Sequence, residues 1–414
     1  MKIHAMNTPA NRIEPSVPPR ARVWLHVSSL MRWQRAAVGV VRVECEYARW
    51  LLSQAEQAFA FCEYSREQGL FVQVPAEAVA RQLAAITAGQ GGVVAAHAAP
   101  ADFAPGDRFV SLGLDWDTLD HRVLWQHKQA GLHITLMCYD LIPVLYPQWF
   151  AGVHTRESFG AYLADLCWCA DQVLCISEHT QRDLLRTLPA TGAPLPPTRV
   201  IRLGCELSAA PSVAPPAQLD LARPFVLFVS TIERRKNHEV LYRAWARLRE
   251  QATLSGDGFV PHQLAFVGMP GWGVTDLLND IALDPRTQGD IVMLNHVSDA
   301  ELAWLYQHCA FTVFPSLYEG WGLPVAESLA HGKFCLCSSA ASLPEVGGEL
   351  CEYLDPWDVP AWADRLGHLM RHPQEVQERN QRIAQHDRPT PWARTAQQIH
   401  DAVLAADRRD TRTP

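Results

Sequence analysis

The sequence predicts an α/β protein built from two doubly wound domains. Three observations carry this. Short apolar runs with strand character alternate with helical patterns along the whole chain. A Pro/Ala-rich stretch at 208–223, SAAPSVAPPAQLDLAR, has no periodic apolar face and divides the alternation into two halves. Glycine-rich or charged loops follow several of the strand-like runs, where open parallel sheets place their ligands.

In the first half the predicted strands are 23–27, 59–64, 108–112, 134–139, 172–176 and 199–202, with helices such as 41–54 and 157–170 between them. In the second half the strands are 225–230, 263–267, 291–294, 311–314 and 334–337. The helices there include 237–251, 299–308, 324–330 and 360–370. Residues 1–20 hold Pro9, Pro15, Pro18 and Pro19 and read as a disordered leader; the polar tail from Asp407 reads as frayed. The expected domains are thus 21–207 and 224–387, joined by the linker at 208–223. A terminal helix within 388–406 follows, opened by Pro391 and Trp392.

Composition narrows the function. Of 414 residues, 48% are hydrophobic and 19% charged, the profile of a globular protein. The net charge of −8 gives no basic field for nucleic acid. No apolar run approaches the roughly 20 residues needed to span a bilayer. Eleven cysteines are an odd number, and several lie in apolar runs as small hydrophobes. Cys167 and Cys169 have no second pair at zinc-like spacing, so no metal is expected. With no signal peptide evident, the expected location is a reducing cytoplasm. Arg32, Arg35, Arg42 and Arg49 with Trp33 and Trp50 suit either peripheral membrane contact or an ordinary amphipathic helix.

The most informative stretch is FPSLYEGWGLPVAESLAHG at 314–332. A glycine turn running into a helix offers free N–H groups and the positive end of the helix dipole to an anion. Pro324 suits the first helical turn. Glu319 then falls in the loop and Glu327 in the helix. Carboxylates beside an anion site suit a ligand that carries hydroxyls as well, such as a nucleotide sugar. Earlier in the same half, Glu233, Arg234, Arg235 and Lys236 follow a strand, with Asn237 at the expected helix N-cap. Arg chelates phosphate oxygens and Lys acts as a point charge; a solvated basic loop is the other reading of these residues. The loop VGMPGWG at 267–273 reads most simply as a plain strand–helix turn, and SLPEVGGE at 342–349 places Glu345 and two glycines after a strand. No G-x-G-x-x-G follows the first strand of either half, which argues against a dinucleotide oxidoreductase.

Taken together, the TIERRKN loop (231–237), the Glu319–Glu327 pair followed by Ala330-His331-Gly332, and LPEVG (343–347) resemble the retaining glycosyltransferases of family four, whose fold is GT-B. In the first half, RWQRAAVGVVRVECEYARWL resembles that family's glycine loop at Gly39. CYDLIPVLYP resembles its H-D-x-x-P segment, with Asp140 and Pro143 matching and Tyr139 standing where His is usual. The segment ADQVLCISEHTQRDL resembles its serine turn at Ser177. The resemblance implies that Arg235 and Lys236 hold a donor diphosphate and stabilise the leaving nucleotide. It implies that Glu319, with the loop Gly320, Trp321, Gly322 and Leu323, binds the transferred sugar. Glu327 would bind the ribose, and Thr231 would line the donor site. Gly39, Tyr139, Asp140 and Ser177 would face the cleft and the acceptor. The implied partners are a nucleotide-diphosphate sugar and a glycan or lipid-linked glycan, with no cofactor and no metal. The terminal helix would cross back to the first domain. An epimerase or hydrolase of the same fold, or a non-catalytic scaffold, would share the donor residues.

Overall fold

The computed structural model describes residues 21–54, 58–92, 99–150, 156–207 and 215–405. The expected leader, residues 208–214 of the expected linker and the tail from Asp407 lie outside the described residues.

Two sheets are present. The first comprises β1 (Val23–His26), β2 (Phe59–Ser65), β3 (Leu70–Val74), β4 (Arg108–Ser111), β5 (His133–Cys138), β6 (Gln172–Cys175) and β7 (Thr198–Val200). Their spatial order is β3-β2-β1-β4-β5-β6-β7, parallel except for the β2–β3 hairpin. The second comprises β8 (Phe225–Val229), β9 (Gln263–Val267), β10 (Ile291–Leu294), β11 (Phe311–Phe314), β12 (Cys335–Ser338) and β13 (Glu352–Leu354). Its order is β10-β9-β8-β11-β12-β13, parallel throughout. Both sheets are the doubly wound α/β architecture of the GT-B fold. Their central strands are near-continuous apolar runs because helices cover both faces.

Two strands escape the sequence reading. β3 pairs antiparallel with β2 after a tight turn in which Gly69 has φ +66°. β13 is three half-buried residues at an edge, too short and too polar to show a pattern. Helix Gly39–Leu52 begins and ends two residues before the expected 41–54.

The strand order reverses between β1 and β4 in the first sheet, and between β8 and β11 in the second. Ligand crevices in such sheets open at the carboxyl ends beside that reversal. The last helix, Trp392–Ala405, packs on the first sheet's side of the molecule although it follows the second sheet. Ile399, Ala402 and Val403 are buried in the first core, and Arg108 donates to the Val403 carbonyl at 2.6 Å.

That helix also accounts for the amphipathic face of Gly39–Leu52. Tyr47 bonds His400 at 3.2 Å, Trp50 lies 5.0 Å from the same ring, and Arg42 sits 5.6 Å from the Trp392 ring. Arg32 donates to the Tyr64 carbonyl and Arg49 to Glu46. These residues thus bond within the protein. No helix among the described residues is long and apolar enough to cross a membrane.

Candidate active site

The loops that leave β8 and β11, the two strands flanking the reversal of the second sheet, bring the expected charged residues together. Arg235 donates to Glu319 at 2.8 Å and to Glu233 at 2.9 Å. Lys236 donates to the other Glu319 oxygen at 2.6 Å. Glu319 therefore bridges both cations. All four side chains are largely buried, at 14% exposure or less for Arg235, Lys236, Glu319 and Glu233. Burial would raise the Glu319 pKa, but Arg235 and Lys236 outweigh it and hold the carboxyl down to about 2. Lys236 is depressed by burial and by Arg235, with Glu319 opposing. Burial also works against the Arg235 charge, yet Glu319, Glu233 and Asp140 hold its pKa above the ordinary value. Its guanidinium further donates to the Tyr318 carbonyl at 2.8 Å, fixing the loop after β11.

Asn237 stands at the expected N-cap of helix His238–Ser255, although its side chain makes no capping bond to that helix. It sits at φ +59°, a left-handed conformation that Asn tolerates. Its amide donates to the Pro315 and Pro356 carbonyls at 3.1 and 2.8 Å. It thereby ties the basic loop to the loop after β11.

The turn after Glu319 is held from outside. Ser342 donates to the Glu319 and Trp321 carbonyls at 2.9 and 2.7 Å. A Cβ at Gly320 would lie 2.3 Å from the Tyr139 carbonyl and 3.2 Å from the Asp140 side chain, so only glycine allows the two domains to meet here. Trp321 packs into the first domain's core. Gly322 has φ +116°, and helix Leu323–Ala330 begins directly after it with Pro324 in its first turn. Glu327 stands apart from the ion cluster, buried on that helix and accepting from the Tyr306 hydroxyl at 3.0 Å. Burial raises its pKa against the pull of Arg42. Thr231 is exposed at the end of the β8 loop.

The first domain contributes less direct chemistry. Tyr139 is buried and donates to the Leu112 carbonyl at 2.5 Å. Asp140 faces Arg235 across the cleft; burial raises its pKa and Arg235 opposes. Ser177 is fully buried and caps helix Glu178–Thr191 by accepting from the Thr180 N–H. Gly39, exposed and at φ +52°, opens helix Gly39–Leu52.

Three participants were missed by sequence reasoning: Glu233 as a partner of Arg235, Tyr318 bridging to His179, and Trp272 reaching the Trp149 carbonyl at 2.9 Å. Only Glu233 left a signal, as an acid beside two cations.

An arginine and a lysine held beside a carboxylate, at the switch point of a doubly wound sheet and facing a second such sheet, form a group whose charges and acceptors suit a phosphorylated, hydroxyl-bearing ligand. Residues 214–386 match the family described as Glycosyl transferases group 1, and this domain belongs to that family. Among curated relatives, the O-antigen chain mannosyltransferase B of Escherichia coli is 34% identical over 137 residues, covering 33% of this chain and 34% of that protein. The serotype-specific mannosyltransferase WbdA of Escherichia coli is 28% identical over 214 residues, covering 49% of this chain and 25% of that protein. These matches span no more than about a third of either relative. Sucrose-phosphate synthase from Thermosynechococcus elongatus superposes with TM-score 0.63 at 18% identity, over 94% of this chain and 100% of that one.

Proposed function

We propose that the protein is a retaining glycosyltransferase. It moves a hexose from a nucleotide-diphosphate sugar to a glycan or lipid-linked glycan acceptor in the synthesis of a bacterial surface polysaccharide such as O-antigen. The donor is of GDP-mannose, UDP-hexose or dTDP-rhamnose type, and the printed activities of the Escherichia coli relatives favour mannose. The single observation that carries the reading is the bridge of Glu319 between Arg235 and Lys236.

In the free protein Glu319 neutralises the buried Lys236 and shares the neutralisation of Arg235 with Glu233. An entering diphosphate takes over that task. Glu319 is then released to accept hydrogen bonds from hydroxyls of the transferred sugar. Arg235 and Lys236 stabilise charge on the leaving nucleotide, which is electrostatic catalysis. Glu327, with Thr231 and the turn 320–323, completes the donor side at the ribose and sugar hydroxyls. Gly39, Tyr139, Asp140 and Ser177 shape the acceptor side. The cationic task rests on side chains, so the proposal uses no metal and no cofactor. A nucleotide-sugar donor and eleven unpaired cysteines suit a cytoplasmic enzyme, working at the inner face of the membrane when its acceptor is lipid-linked.

A panel of nucleoside diphosphates and their hexoses tests the reading. The matching nucleotide at 100 times its Kd should add about 2.7 kcal/mol of stability. Lys236→Ala should lower sugar transfer about 10²–10³-fold, the usual cost of one lost charge-stabilising donor. Wild-type transfer and wild-type nucleotide affinity in that variant would sink the assignment.

A further inference from the structure

Beyond β8 and β9 the two chain segments stay side by side. Ser230 N–H donates to the Val267 carbonyl at 2.9 Å, Ile232 N–H to the Met269 carbonyl at 2.9 Å, and Gly271 N–H to the Ile232 carbonyl at 2.8 Å. Ile232 and Pro270 thus form a parallel bridge that extends the sheet past its strands. Two glycines permit so close an approach. A Cβ at Gly268 would collide with the Ser230 carbonyl oxygen, and one at Gly271 would lie 3.0 Å from the Ile232 carbonyl oxygen and 3.5 Å from the Glu233 Cβ. The loop 267–273 therefore does more than turn the chain. It braces the segment that carries Glu233. Glu233 itself is extended, with φ −149° and ψ 160°, and only 6% exposed. Its carbonyl accepts from the Lys236 N–H at 3.0 Å, and its carboxylate accepts from Arg235 Nη2 at 2.9 Å.

The oxygen partners of the Arg235 guanidinium divide by nitrogen. Nη1 donates to Glu319 and to the Tyr318 carbonyl, both at 2.8 Å, whereas Nη2 donates to Glu233. Lys236 bonds Glu319. A diphosphate that displaces Glu319 takes its place at Nη1 and at the Lys236 ammonium, and leaves the Nη2 bond intact. Arginine has a long stem with much rotamer freedom. Electrostatic catalysis needs its cation to stand where charge develops. Glu233 supplies the fixed point, because its own backbone is pinned by the brace. Its carboxylate also stands near the diphosphate and opposes nucleotide binding. The two effects have opposite signs: Glu233 favours the transition state through Arg235 and disfavours the bound nucleotide.

We propose that Glu233 is a positioning residue that holds the Arg235 guanidinium in place while Glu319 is engaged with the sugar, with the glycine loop 267–273 as its brace. The proposal rests on the transferase reading and adds a residue and a loop to it.

The test uses the full chain. GDP, UDP and dTDP are titrated by calorimetry. Cleavage of GDP-mannose, UDP-glucose and dTDP-rhamnose, by transfer or by hydrolysis, is followed as release of the nucleoside diphosphate. Glu233→Ala should lower kcat about 10–100-fold without weakening the nucleoside diphosphate. Glu233→Gln keeps an acceptor oxygen but not the charge. It should recover most of that rate and bind the nucleoside diphosphate about three- to tenfold more tightly than wild type. Gly271→Ala presses on the brace without touching Arg235 and should lower kcat about threefold or more at wild-type nucleotide affinity. Gly271→Ala and Glu233→Gln carry the test if Glu233→Ala does not fold. A residue that merely kept the loop folded would move rate and affinity together. Wild-type kcat in Glu233→Ala, a Glu233→Gln variant that is no faster or that binds nucleotide more weakly than wild type, or affinity falling in step with kcat would overturn the positioning role alone. Unchanged kcat in Gly271→Ala would overturn the brace. A wild-type protein that binds none of the nucleoside diphosphates, or cleaves none of the nucleotide hexoses, would overturn the transferase reading, and this proposal with it.

Discussion

Glu44 lies fully buried on helix Gly39–Leu52, behind the strand reversal of the first sheet. One oxygen accepts from the Leu30 N–H at 3.1 Å. Burial, with Asp115 nearby, pushes its pKa up to about 8 from an ordinary 4.5. The folded protein therefore holds this proton more tightly than the unfolded chain. Its stabilising contribution is complete below pH 4.5 and is lost as pH rises toward 8. Glu319 has the opposite sign. Its pKa falls from 4.5 to about 2, so its contribution is present above pH 4.5 and lost as pH drops toward 2. Glu44→Gln mimics the neutral acid. The variant and wild type should melt alike at pH 5, and the variant should be the more stable at pH 8.5, by about 2–4 °C for each kcal/mol of charge burial removed. Parallel melting curves at both pH values would show that Glu44 is not protonated in the fold. The sequence marks Glu44 only as one more acid in an amphipathic helix. Its inward orientation depends on a neighbour, Leu30, placed there by the preceding strand and turn.

At the scale of elements, helix Glu178–Thr191 is capped twice. Ser177 accepts from Thr180 within the first domain. From the second domain, Glu345 accepts from the Glu178 and His179 N–H groups at 2.9 and 3.3 Å. A carboxylate there meets the positive end of the helix dipole. Tyr318 reinforces the contact by bonding His179 at 2.8 Å and also Asp183. These bonds hold the two sheets face to face. Glu345→Ala should cost about 0.5–2 kcal/mol of that association, the usual value of a lost helix cap. Small-angle scattering should show a larger radius of gyration for the variant at an unchanged helix content; superimposable profiles would refute a clasp. The parts of this arrangement differ in how well sequence reveals them. The interior strands are legible because burial on both faces makes them continuously apolar. The Arg235, Lys236 and Glu319 loops are legible because each follows such a strand. β3 and β13 are not, being edges. Tyr318 is not legible either, since its partner Asp183 lies 135 positions away and no local pattern marks the pairing.

The molecule as a whole is closed by a backbone contact with no room for a side chain. Gly320 meets the Tyr139 carbonyl, and Trp321 beside it enters the first domain's core. The terminal helix fastens the same core from the other side, with the Trp392 ring 2.6 Å from where a Cβ at Gly204 would lie. In the proposed transferase, closure between two such bodies serves to exclude water from the reacting centre and to complete the set of catalytic groups. Gly320→Ala isolates that step. The added methyl cannot easily displace a carbonyl one residue beyond β5, so the domains must separate instead. Overpacking of this kind costs about 1–3 kcal/mol, and the cost falls on the closed state because the clash lies between the two domains. The second domain should keep its affinity for the nucleoside diphosphate, while transfer falls by about 10–100-fold as the closed fraction drops by the corresponding free energy. Calorimetry on the nucleotide and a transfer assay on the same preparation decide it. Loss of both together would mean that Gly320 supports the donor loop itself, and loss of neither would mean that transfer does not require this contact.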